Sequence, residues 1–180
     1  MKKRNIVIIV IVVLVLGFYT IQVNRNPCFG KSSGAKAKDN CYVKHAIENQ
    51  DENYCFMLRD KYATWGSDNL AGTCFTEMAV VTGDISYCEK ITGKYLDVAK
   101  RECYTATASA INNPSICTNS NDSGYCYSWV SYIKNDKNIC TMGGSNDECL
   151  MRHETQNFFK DYYVCAKFAT QKARDLCNQH

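Results

Sequence analysis

The chain has 180 residues, 46% apolar and 22% charged, with 12 cysteines, 10 glycines and 2 prolines, which suits about one globular domain and excludes both a disordered tail and a polytopic membrane protein. Its formal net charge of +3 comes entirely from Lys2, Lys3 and Arg4, since the other 18 basic residues equal the 18 acidic ones. A chain neutral beyond its first residues lacks the basic face that phosphate neutralisation requires, so no nucleic-acid partner is expected.

Behind that basic cluster, Ile6 to Phe18 is continuously apolar, and Tyr19, Thr20, Ile21, Gln22 and Val23 extend it. As a helix, Ile6 to Val23 reaches about 27 Å, enough to cross a hydrocarbon core. The expectation is a cytoplasmic segment over residues 1–5 and a transmembrane signal anchor over residues 6–23. By the positive-inside rule the rest of the chain then lies outside, in a single-pass cell-membrane protein. A cleaved secretory signal is the alternative, although no Ala-x-Ala-like tripeptide stands between Gly17 and Asn26. Both readings export the remainder. Residues 24–39 contain GKSSGAKAK and read as a flexible linker. Its Arg25, Lys31, Lys36 and Lys38 are read as solvated rather than as headgroup contacts.

Export makes the cysteines legible, because a dense, even set in an oxidising compartment implies disulfides. They stand at Cys28, Cys41, Cys55, Cys74, Cys88, Cys103, Cys117, Cys126, Cys140, Cys149, Cys165 and Cys177, with no C-x-x-C pair among them. Zinc ribbons, thioredoxin-like sites and haem attachment therefore lose their usual spacing, and no metal or cofactor is expected.

Four intervals are 14 residues long: 41 to 55, 74 to 88, 103 to 117 and 126 to 140. Each segment has an aromatic after its first Cys (Tyr42, Phe75, Tyr104, Tyr127) and a small residue five after it (Ala46, Ala79, Ala108, Ser131). Four before the second Cys stands Asp51, Asp84, Asn113 or Asp136. Such periodicity marks an internal repeat over residues 40–149. The first Cys, aromatic and small positions suit one helix of about ten residues, and the Asp or Asn suits the cap of a shorter second helix. Pro114 after Asn113 supports the cap. With no alternating β-branched run after residue 23, the predicted fold is all-α: a disulfide-stapled stack of helical hairpins, a short α-solenoid after one transmembrane helix.

Within a hairpin the two cysteines differ in axial height by more than a disulfide allows once the gap between helices is added. Across the connection to the next hairpin both lie near the open end. The expected pairs are therefore Cys28–Cys41, Cys55–Cys74, Cys88–Cys103, Cys117–Cys126 and Cys140–Cys149, with Cys165–Cys177 by elimination. Each short closed loop contributes roughly 2–3 kcal/mol.

The pattern D-x-x-x-C-x-x-I then D-x-C-[YF]-x-x-x-A, as in DISYCEKITGKYLDVAKRECYTATA, resembles the cysteine-containing helical repeats of uncharacterised exported proteins from small-genome archaea and candidate-phylum bacteria. The resemblance covers Asn40 to Cys149 and implies architecture rather than any reaction. Three residues after the second Cys, Ser120 and Gly143 replace the apolar Leu58 and Ile91, so the third and fourth units are expected to pack differently. Residues 150–180, free of Pro and Gly, read as C-terminal capping helices. Phe158, Phe159, Tyr162, Tyr163 and Phe168 are expected to bury against the last hairpin.

Catalytic motifs are sparse. Gly30-Lys31-Ser32 imitates the end of a phosphate loop, but Arg25 occupies the position of its first glycine. His153-Glu154 opens like a zincin motif, with Asn157 where the second His belongs. His45 and Glu48 share a helix face and read as an exposed pair; His180 is the last residue. Asn121-Asp122-Ser123 permits glycosylation. The tyrosines with Trp65 and Trp129 read as core before recognition surface. The expectation is a non-enzymatic, membrane-anchored extracellular scaffold that binds a protein or envelope partner. The alternatives are a thiol redox or metal-handling protein with free thiols and a secreted small-ligand or lipid carrier.

Overall fold

The computed structural model describes residues 11–17, 28, 35–58, 70–93, 96–144, 146–155 and 170–178. They form two compact units, divided between Tyr42 and Val43. All regular structure among them is helical, without strands.

In the first unit, residues 11–17 form helix α1. Its six apolar side chains, Ile11 to Leu16, are 49–67% exposed. Among the described residues no helix is long and apolar enough to cross a membrane; the rest of the expected span, residues 6–10 and 18–23, lies outside them. Helix α2 (Ala35–Asn49) begins in this unit and the division falls within it. Its start lies inside the stretch expected to be a flexible linker, because Ala and Lys, which dominate AKAKD, are good helix formers. Cys28 is joined to Cys41.

The second unit continues with α3 (Asn53–Phe56), α4 (Leu70–Thr82), α5 (Ser86–Glu89) and α6 (Leu96–Ala110). A 3₁₀ helix (Pro114–Asn119), α7 (Ser123–Lys134), a second 3₁₀ helix (Lys137–Gly143), α8 (Asn146–Thr155) and α9 (Gln171–Asn178) complete it. The longer helices pack in sequence order, α4 on α6, α6 on α7 and α7 on α8. Each short segment lies beside them: α5 touches α4 and α6, the first 3₁₀ helix α6 and α7, the second α7 and α8.

Burial follows the cysteine-led segments. Cys74 to Val80, Cys103 to Ser109 and Cys126 to Ser131 are buried without a break, so these helix centres are enclosed on all faces. Three of their hydroxyls are satisfied by the preceding turn: Thr76 donates to the Gly72 carbonyl, Thr107 to Cys103 and Ser109 to Thr105, each at 2.8 Å. The expected ten-residue helix is longer, since α6 starts seven residues before Cys103 with Asp97 in its favourable first turn.

Helices α2, α4, α6 and α7 end in a similar way. Gln50, Gly83, Asn112 and Asn135, one before the Asp or Asn position, have φ of 52°, 75°, 55° and 49°. This left-handed residue turns the chain so that the N–H groups of Asp51, Asn113 and Asp136 reach the carbonyls of Ala46, Ala108 and Ser131 at 2.9–3.1 Å. At the second turn the Gly83 N–H reaches Ala79 instead, at 2.8 Å. The carboxylates of Asp51, Asp84 and Asp136 then accept from the N–H two residues on, at 2.9–3.0 Å. Asn113 makes no such cap; its Oδ1 accepts from the Ser115 hydroxyl at 2.6 Å.

The second helices are short: single α turns of four residues in the first two cases and 3₁₀ helices of six and seven residues in the last two. The change coincides with Ser120 and Gly143. Leu58 and Ile91 are buried, whereas a Cβ on Gly143 would stand 2.8 Å from Tyr127 Cδ2. The Tyr127 ring therefore takes the space that the apolar side chain fills elsewhere.

Two outcomes test these turns. Gly83→Ala meets Ile111 only at an ordinary 3.6 Å, so its cost is that of the left-handed backbone, about 1–2 kcal/mol, while Gln50→Gly is expected to stabilise; urea midpoints with disulfides intact measure both. Gly143→Ala is expected to cost about 1–3 kcal/mol by overpacking, read in the same titration and relieved when Tyr127 is shortened to Leu.

Candidate functional site

The cysteines are the best-defined chemistry. Cys55–Cys74, Cys88–Cys103, Cys117–Cys126 and Cys140–Cys149 are closed in the second unit and Cys28–Cys41 in the first, with Cα separations of 5.4–5.8 Å. Every pair joins neighbours in sequence, as the spacing argues, and no described cysteine is free. Such a set suits an oxidising, extracellular environment. Cys165 lies outside the described residues, and of Cys177 only the helical backbone, in α9, is described.

The histidines have ordinary partners. His45 Nδ1 lies 3.3 Å from Asn49 Nδ2 and its ring 5.7 Å from that of Tyr54, while Glu48 pairs with Lys44 at 3.6 Å. The His45–Glu48 pair is therefore split between other contacts. His153 is buried on α8, with Nδ1 2.9 Å from Ser131 Oγ on α7 and its ring edge-on to Tyr132 at 6.0 Å. This is a hydroxyl–imidazole pair, but Ser131 has no exposed surface and a substrate carbonyl cannot reach it. Gly30, Lys31, Ser32, Asn157 and His180 lie outside the described residues, as do Trp65, Phe158, Phe159, Tyr162, Tyr163 and Phe168.

Trp129 stands in a line of rings. Tyr125, Trp129 and Tyr132, at helical spacing on α7, have successive centroids 5.9 Å apart, and Tyr132 leads on to His153. The Arg101 guanidinium caps the other end 3.9 Å above Tyr125 and lies 3.6 Å from Asp122, the residue whose carboxylate also caps α7. Burial pushes the Tyr125 phenol up, with Arg101 pulling against it. The i, i+4, i+7 spacing in YCYSWVSY carried this line; nothing in the sequence placed Arg101 or His153 at its ends. Trp129 is buried, so the array packs α7 against its neighbours rather than offering a flat recognition face.

Acidic side chains link elements near and far in sequence. Lys90 bonds Glu52 and lies 4.8 Å over the Tyr87 ring. Glu89 accepts from Lys100 at 2.6 Å and from the Tyr104 hydroxyl. Those two donors hold Glu89 below the usual carboxylate range, and Tyr104 is pushed well above its ordinary value by burial and by donating to Glu89. Glu77, fully buried on α4, accepts from the Thr170 N–H at 3.2 Å and hydroxyl at 2.8 Å. Helix α9, which follows Thr170, packs on α4 and α6.

Comparison with protein-family models, with curated proteins and with solved structures finds no match.

The Glu89–Tyr104 contact sets a pH signature. Tyr104 holds its proton more tightly folded than unfolded, so its contribution is full below about pH 10 and is lost as pH rises through the folded value. Glu89 has the opposite sign, contributing above about pH 4.3 and less as pH falls. Denaturant midpoints are expected to decline on both flanks. Tyr104→Phe is expected to shallow the alkaline limb, leaving the part due to Tyr125 and Tyr127, which burial also raises.

Proposed function

We propose that the chain is an exported, membrane-anchored scaffold: a short repeat of disulfide-stapled helical hairpins that presents a binding surface to an extracellular protein or envelope partner and performs no reaction. The observation that carries this reading is the recurrence of one turn. Left-handed residue, Asp or Asn, and disulfide-bonded Cys return at Gln50–Cys55, Gly83–Cys88, Asn112–Cys117 and Asn135–Cys140. A stack of such units makes an extended surface, and local disulfides let thin layers persist where thiols are oxidised.

The anchor reading draws on α1, whose apolar side chains are exposed on every face described, and on Lys2, Lys3 and Arg4 before it. A thiol redox or metal-handling role needs free thiolates, and the ten described half-cystines are bonded.

Alkaline extraction of membranes, with mass analysis of the retained chain, tests the anchor: the expected product sediments with the bilayer and keeps residues 1–23. A soluble chain beginning after residue 23 overturns it. Photo-crosslinking residues at exposed Phe56, Met142 and Met151 in intact cells test the scaffold: a discrete covalent adduct from at least one position is expected. Monomer alone from all three counts against a binding role.

A further inference from the structure

We propose that Asn121 is the acceptor of an N-linked oligosaccharide, attached as the chain is exported. The proposal rests on the export part of the reading above, because the transferring enzyme and its lipid-linked donor work on the far side of the membrane.

The sequence holds two Asn-x-Ser tripeptides, Asn113-Pro114-Ser115 and Asn121-Asp122-Ser123. Proline in the middle position disqualifies the first, and aspartate leaves the second open. The structure separates the two on independent grounds. Asn113 is exposed, but its carboxamide oxygen is taken by the Ser115 hydroxyl at 2.6 Å and its N–H by the Ala108 carbonyl at 2.9 Å. Asn121 is exposed in the turn before α7, and its side chain makes no hydrogen bond among the described residues. The Ser123 hydroxyl, two residues on, makes none among them either.

The residues on either side of Asn121 hold the turn without it. Ser120 is buried, and its Oγ accepts from the Asp122 N–H at 3.3 Å. The Asp122 carboxylate accepts from the Tyr125 N–H at 3.0 Å and so caps α7. The position needs no side chain of its own. The Cys117–Cys126 and Cys140–Cys149 connections share a sequence separation of 9, and the counterpart of Asn121, four residues after Cys140, is Gly144. Asn121 is thus an exposed amide that the fold does not use, within the one tripeptide of the chain that meets the acceptor rule. A bulky, solvated oligosaccharide there displaces none of these contacts.

The transfer is a substitution at a sugar carbon. The Asn121 carboxamide nitrogen bonds to C1 of the first sugar of a polyprenyl-diphosphate oligosaccharide as the bond from C1 to the diphosphate oxygen breaks. The nitrogen gives up one proton to a base of the transferase, and the lipid diphosphate leaves with the electron pair.

The test translates the full chain with rough microsomes, which supply the transferase and a dolichyl-diphosphate oligosaccharide. A single slower-migrating form is expected inside the vesicles. Peptide N-glycosidase F is expected to collapse it and, in heavy-oxygen water, to leave the label at Asn121. Asn121→Gln and Ser123→Ala are each expected to abolish the slower form, and Ser123→Thr to retain it. A chain protected from added protease but lacking the slower form overturns the proposal, as does a slower form that persists in Asn121→Gln. Digestion of the whole chain by protease added outside the vesicles overturns the export reading, and the modification falls with it.

Discussion

The second unit depends on a covalent link made over a short distance: the Cys of each short helix bonded to a Cys in the long helix that follows. The closed loops of this unit span sequence separations of 9 to 19 residues, so each bond removes freedom from the unfolded chain locally and is worth about 2–4 kcal/mol. Helices of four to seven residues have no stability of their own in water. Bonded at Cys55, Cys88, Cys117 or Cys140 to the next long helix, they become fixed walls that help bury its centre. The uninterrupted burial of Cys74 to Val80, Cys103 to Ser109 and Cys126 to Ser131 follows from having a neighbour on every side.

The bond sets the far end of each hairpin, and backbone chemistry sets the near end. A left-handed residue and an N–H returned to the carbonyl of the buried small residue act at all four turns, joined at Asp51, Asp84 and Asp136 by a carboxylate that takes a free N–H of the next turn. Ala46, Ala79, Ala108 and Ser131 are therefore constrained twice: their side chains are fully buried, and their carbonyls receive the turn. At Ser131 the hydroxyl has an added use, holding His153 and so tying α7 to α8.

Much of this architecture is legible in the chain because disulfide geometry and helix capping are short-range and leave fixed spacings. The 14-residue interval, the aromatic after the first Cys and the Asp position mark the long helices and the turns that follow them. The left-handed position was less visible, since Gln50, Gly83, Asn112 and Asn135 share a conformation rather than a side chain, and only Gly and Asn advertise it. The 3₁₀ form of the later short helices was foreshadowed by Ser120 and Gly143, but the Tyr127 ring that fills the space at Gly143 comes from another helix. Arg101 over Tyr125 and Thr170 on Glu77 were illegible for the same reason: each joins elements whose separation in sequence carries no pattern.

The Glu77 contact imposes an order in time. The disulfides of the second unit close over at most 19 residues, so they can form one after another as the chain emerges from synthesis or export. Thr170 lies 93 residues beyond Glu77, so its hydrogen bonds to that side chain cannot form until the intervening residues have been made. The packing of α9 on α4 and α6 therefore covers the fully buried Glu77 side chain later than the local disulfides can close.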